Sequence, residues 1–195
     1  MDTETKIKKA HITLMRHPET CLYSGVIMAG KVEVRDDVPT AKTNGWDTKY
    51  GRKFVDGLNF PDTVGLVFHE NLHKALRHIA RHLHLWEEDA QIANAASDYV
   101  ANDLIMCLND KAFCKLPEGG LYHPKFHNWS VREVYDFLKT GRDKDEEQRR
   151  GGKPGKPGDQ PRRGKDKVTV KGEDFPIGPL DEHDTEPAEA WTRRN

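Results

Sequence analysis

The amino-acid sequence predicts an α+β domain, and three observations predict it. Apolar residues recur at helical spacing in four separate segments. A stretch between the first two segments turns to β-forming residues with short turn signals, and large apolar residues become scarce after Gly141. A chain of 195 residues has room for one sizeable domain, and an apolar share of 35% leaves part of the chain solvated.

Taken in order, Ile7, Ala10, Leu14 and Met15 fall on one face, and Pro18 stops the pattern, so a first helix is expected there. Residues 21–48 are rich in Val, Ile, Tyr and Thr and contain Asn44-Gly45, a strong hairpin signal, which predicts a small sheet. Pro61-Asp62 opens a long helix whose stripe runs through Val64, Val67, Phe68, Leu72, Ala75, Leu76, Ile79 and Leu83. A third helix is expected over about 88–108, with Ile92, Ala96, Tyr99, Val100, Leu104 and Leu108 at compatible spacing. The last helix is marked by a capping box, Ser130 and Glu133, by a hydrophobic staple, Trp129 and Val134, and by Gly141 as its left-handed end. The domain is therefore expected over residues 1–140, followed by a disordered Gly/Pro/charged tail over 141–195. Within that tail 142–171 holds eleven basic and six acidic residues, and 173–195 holds seven acidic and two basic, blocks that suit a tether for a protein partner.

The net charge of −1 supplies no global field that would draw nucleic acid or an anionic membrane. No apolar run has the length of a bilayer span, and residues 1–9 are polar, so a cytoplasmic location without membrane contact is expected. Cys21, Cys107 and Cys114 form an odd set without disulfide rhythm, which fits free thiols in a reducing compartment. The spacing of Cys107 and Cys114 matches no zinc-ligand pattern, so buried or incidental thiols are expected.

Chemistry concentrates in His69-Glu70-Asn71-Leu72-His73. Two imidazoles four residues apart on a helix project from one face and can grip one zinc ion, and the adjacent Glu70 is placed to act as general base on a metal-activated water. The competing reading is a histidine-rich helix turned outward. A third ligand decides between them, and Asp98 is the candidate: Asn94, Asp98 and Asn102 draw a polar line along the next helix, and 25 residues after His73 leave room for that helix to return antiparallel. His78 is the rival, but on a continuous helix nine residues put it opposite His69, so His78, Arg81 and His82 are given a surface role or a role supporting the ligands. Lys74, Arg77 and Arg81 make this helix locally basic, yet without interleaved aromatics nucleic-acid binding is disfavoured. Tyr122, His123 and His127 could donate to an oxyanion, but loop residues of these types more often pack or face solvent, so they stay outside the site.

The chain also resembles a known family, the putative metallopeptidase domains of zincin type that in many bacteria precede a von Willebrand A-like domain. The resemblance runs through Leu14-Met15-Arg16-His17-Pro18, residues 40–58, Val67-Phe68-His69-Glu70-Asn71-Leu72-His73 and Asn94-Ala95-Ala96-Ser97-Asp98-Tyr99-Val100-Ala101-Asn102. It closes with Leu116-Pro117-Glu118-Gly119 and residues 131–138. It implies a zincin-like α+β fold, zinc at His69 and His73, and Asp98 as third ligand. Two departures stand out. Thermolysin-like enzymes carry a ligand Glu four residues before a supporting Asp, where this chain has Asn94 and Ala95; if Asp98 corresponds to that supporting Asp, the third ligand is missing or comes from elsewhere. The charged tail takes the place of any von Willebrand A-like domain.

Two functions follow as expectations. The first is a zinc metallopeptidase acting on a protein or peptide substrate, with Glu70 catalytic and His69, His73 and Asp98 on the metal. The alternative is a catalytically inactive zincin-fold interaction module that works through its charged tail or basic helix.

Overall fold

The computed structural model describes residues 1–150 and 166–178 of the chain. Helix α1 (Thr3–Arg16) begins where the Asp2 carboxylate accepts a hydrogen bond from Thr5 N, a cap worth about 1 kcal/mol, and it buries Ile7, Ala10 and Leu14. The stretch expected to be sheet opens instead as helix, with a 3-10 turn at Cys21–Tyr23 and the single turn α2 at Ser24–Ile27. Short side chains hold the backbone in turns here: Thr20 Oγ1 donates to Leu14 O at 2.7 Å and Ser24 Oγ to Cys21 O at 2.6 Å.

The expected small sheet follows as β1 (Val32–Arg35), β2 (Ala41–Thr43) and β3 (Thr48–Gly51), in the order β1-β3-β2. Strand β1 runs parallel to β3, and β2 pairs with β3 antiparallel across Asn44 and Gly45. Asn44 Oδ1 accepts from Trp46 N and Asp47 N, and Gly45 takes φ +86°, a conformation that glycine adopts without a Cβ clash. After the short α3 (Arg52–Gly57), Asn59 caps α4 (Phe60–Ala75) by accepting from Asp62 N at 3.0 Å, with Pro61 in the first turn where its missing N–H costs nothing.

Helix α4 stops earlier than its apolar stripe suggests. Arg77 adopts left-handed φ 53°, and a new helix, α5 (His78–Met106), starts in a different direction. A left-handed non-glycine residue costs roughly 1–2 kcal/mol, which burial of His78 and Ile79 offsets. Helix α5 bends at His82 and Asp89, and Asp89 Oδ1 accepts from Ile92 N at 3.2 Å to restart it, close to the expected start near residue 88.

Helix α6 (Val131–Arg150) has the expected capping box: Ser130 N donates to Glu133 Oε2 at 2.8 Å, and Glu133 N donates to Ser130 Oγ at 3.3 Å. It does not end at Gly141. A Cβ there would stand 2.7 Å from Val170 Cγ2 and 2.8 Å from Thr169 O, so the glycine admits a second sheet, the hairpin β4 (Lys167–Val170) and β5 (Glu173–Pro176). Val168, Val170, Phe175 and Ile177 of this hairpin are buried, so packing continues past residue 140 into the stretch read from composition as solvated tail. Residues 151–165 and 179–195, which hold half of the charges in the two opposite-signed blocks, lie outside the described residues.

Two apolar cores result. One joins α1, β3, α3 and α4 to Ala101 and Ile105 of α5, and the other joins the earlier part of α5 to α6 and the hairpin around Phe126, Tyr135 and Phe175. Helix α5 belongs to both. Among the described residues no helix is long and apolar enough to cross a membrane, and the three thiols are free.

Candidate metal centre

Helical spacing puts His69 and His73 one turn apart on α4, and their Nε2 atoms face each other at 3.0 Å. Helix α5 returns antiparallel, so that His73 meets Asp98 while His69 meets Asn102. Asp98 Oδ1 lies 3.2 Å from His73 Nε2 and 3.5 Å from His69 Nε2. The three residues expected to bind metal thus turn one donor atom each to a common point. Separations of 3.0, 3.2 and 3.5 Å match the edges of a tetrahedral zinc site, about 3.3 Å for bonds of about 2.0–2.1 Å.

Hydrogen bonds behind the imidazoles aim their lone pairs. Asn102 Nδ2 donates to Leu121 O at 2.8 Å, which turns Asn102 Oδ1 toward His69 Nδ1 at 2.7 Å. His69 therefore carries its proton on Nδ1 and presents Nε2 as an acceptor. His73 Nδ1 faces His78 Nδ1 at 3.1 Å, and burial, followed by the neighbouring His73, pushes His78 well below its usual pKa; in the tautomer with a bare Nδ1, the neutral His78 accepts the His73 Nδ1–H and leaves His73 Nε2 free. The break at Arg77 makes this contact possible. A continuous helix would have carried His78 to the far side, whereas the left-handed turn folds it back behind the second imidazole.

Asp98 Oδ1 is buried against the two Nε2 atoms, while its Oδ2 accepts from Asn94 Nδ2 at 3.3 Å. Because Oδ1 faces the Nε2 edges and not the Nδ1 edges, the carboxylate stands among the donors and does not back a ring. Burial works against its charge, but both imidazoles hold its pKa far below the carboxylate range. Burial likewise opposes charge on His69, yet Asp98 outweighs it and lifts the His69 pKa to about 9. Once the proton that Asp98 holds on His69 is displaced, two imidazole nitrogens and one anionic oxygen form a donor set of the kind zinc accepts.

Glu70 is buried and, with His69, Asp98, Asn94 and Asn102, lines a cavity of about 280 Å³. Its walls include Phe54 and Leu66 on one side, and on the other the loop residues from Leu116 to Leu121 together with Ile177 and Gly178. Gly65 lets that loop pass over α4, since a Cβ would meet Lys115 O at 1.8 Å. The loop and hairpin walls went unseen at the level of sequence, although Val168, Val170, Phe175 and Ile177 alternate about Lys171-Gly172, a hairpin pattern hidden by the charged composition around it. Tyr122, His123 and His127 do not line the cavity, and His123 pairs with Glu173 instead. Lys74, expected on a basic surface, is buried and donates to Ala29 O.

Comparison with protein families matches residues 2–194 to the family described as putative metallopeptidase domain. No curated protein and no solved structure matches the chain. With the match spanning almost every residue, the chain belongs to the putative metallopeptidase domain family.

Proposed function

We propose that the chain is a zinc-dependent metallopeptidase in which His69, His73 and Asp98 hold the metal and Glu70 is the general base. The observation that carries this reading is the convergence of three donor atoms from His69, His73 and Asp98, of which His69 and Asp98 line a cavity together with Glu70. Zinc, when bound there, supplies Lewis acidity and a water whose pKa falls toward about 7. Glu70 receives a proton from the attacking water on its carboxylate and passes it to the leaving amide nitrogen. Asn94 Oδ1, buried at the cavity wall without a hydrogen bond, is available to accept from a substrate backbone N–H. The substrate class is protein or peptide, and the free thiols accord with action in the reducing cytoplasm.

The decisive experiment pairs metal content with turnover. Wild type is expected to bind zinc and cleave members of a peptide library, and Glu70→Gln to keep its zinc while losing at least about a hundredfold in kcat/KM. Zinc-loaded wild type that cleaves nothing, or a Glu70→Gln variant with unchanged turnover, would overturn the reading.

A further inference from the structure

A second group of donors converges near the far end of α5. Asp103 and Cys107 stand four residues apart and share one face of the helix, and His127 reaches them from just before α6. His127 Nδ1 lies 3.2 Å from both Asp103 oxygens and 3.8 Å from Cys107 Sγ, and one donor atom from each residue lies within 4.8 Å of the others. None of the three lines the cavity. Asp103 follows Asp98 by five residues, about 140° around the helix, so it faces away from the first donor set.

The geometry excludes a nucleophile relay. A Cys-His-Asp arrangement needs the thiol and the carboxylate on opposite ring nitrogens, whereas here both address Nδ1. Several donors before one nitrogen is what a cation requires. Tetrahedral zinc would separate nitrogen from oxygen by about 3.3 Å and nitrogen from sulfur by about 3.6 Å, close to the spacings seen.

We propose that Asp103, Cys107 and His127 form a second divalent-cation site, for zinc or a metal of similar softness, that clamps the connection between α5 and α6. Cys107 begins that connection and His127 lies near its end, while its middle, from Leu116 to Leu121, walls the cavity. Binding forms bonds from the metal to Sγ, Nδ1 and a carboxylate oxygen, and releases the thiol proton to solvent. The backbone is already arranged for this. Asn128, at left-handed φ 61°, donates its N–H to Asp103 Oδ2 at 3.2 Å, which orients the carboxylate and turns His127 back to the helix. Cys107 and His127 are exposed, so a metal reaches the site without unfolding.

The test is a cobalt(II) titration of the reduced, metal-free, full-length chain, independent of any hydrolysis. Two equivalents are expected, with a near-ultraviolet sulfur-to-cobalt charge-transfer band that only the second site can produce, because the first donor set lacks sulfur. Cys107→Ser and His127→Ala should each abolish the band and one equivalent, while His73→Ala should remove the other equivalent and keep the band. One equivalent without the band, or a band that survives Cys107→Ser, would overturn the proposal. A band in a protein that cleaves no peptide would leave this site standing and count against the peptidase reading alone.

Discussion

Asn102 shows how much one neutral side chain can settle. Its amide is held by Leu121 O on one side and His69 Nδ1 on the other, and that pair of bonds selects the tautomer that turns an Nε2 lone pair toward His73 and Asp98. Replacing it by Ala removes the selection and leaves the buried Nδ1–H without its acceptor. Zinc affinity of Asn102→Ala, measured by competition with a chromogenic chelator, should fall about 10- to 100-fold. Unchanged affinity would show that the imidazole is oriented by something else. Asn102 stood out in the sequence as part of a polar line, but its task did not, because its partner Leu121 O is a backbone atom that no side-chain pattern marks. His69, Glu70 and His73 were legible for the opposite reason: their relation is local and fixed by helical pitch.

At the scale of elements, helix starts were easier to read than helix ends. The starts of α4 and α6 were read from Pro61-Asp62 and from the Ser130 and Glu133 capping box, residue types at fixed offsets whose hydrogen bonds are local. The break at Arg77 and the passage of α6 through Gly141 answer to distant partners, so periodicity overran the first and a glycine rule stopped the second too soon. The hairpin is the element with the most at stake. Phe175 is fully buried among Phe126, Phe137 and His123, and Tyr99 Oη donates to Pro176 O at 2.7 Å. Truncation at such a site costs about 3–5 kcal/mol. Phe175→Ala should therefore lower the denaturant midpoint and expose residues 166–178 to limited proteolysis, and it should loosen the wall formed by Ile177 and Gly178. If neither midpoint nor proteolysis changes, the hairpin is not part of the cooperative unit.

At the scale of the whole molecule, the donor set joins α4 from one core to α5, which serves both, so a cation held as proposed would tie the two cores together. Protons compete for the same atoms. Without the cation, Asp98 holds the His69 pKa at about 9 against an ordinary 6.5, so the pair's stabilisation is fully present below 6.5 and is lost as pH rises through about 9. Zinc needs the neutral imidazoles and stabilises more as protons leave. The gap in Tm between zinc-loaded and chelated protein should thus widen from pH 6.5 to 9, as read by thermal melts in matched buffers. A gap independent of pH would mean that the imidazoles do not bind the metal.

By itself the sequence determined the α+β character, the motif helix with two imidazoles and a carboxylate on adjacent turns, and Asp98 as the acid to watch, because pitch, capping and apolar period act over a few residues. Tertiary structure alone decided that Asp98 joins the imidazoles, that His78 backs His73, and that residues 166–178 close the cavity. These depend on how helices cross and on a left-handed turn that only packing stabilises, and contacts between residues dozens of positions apart leave no period in the chain.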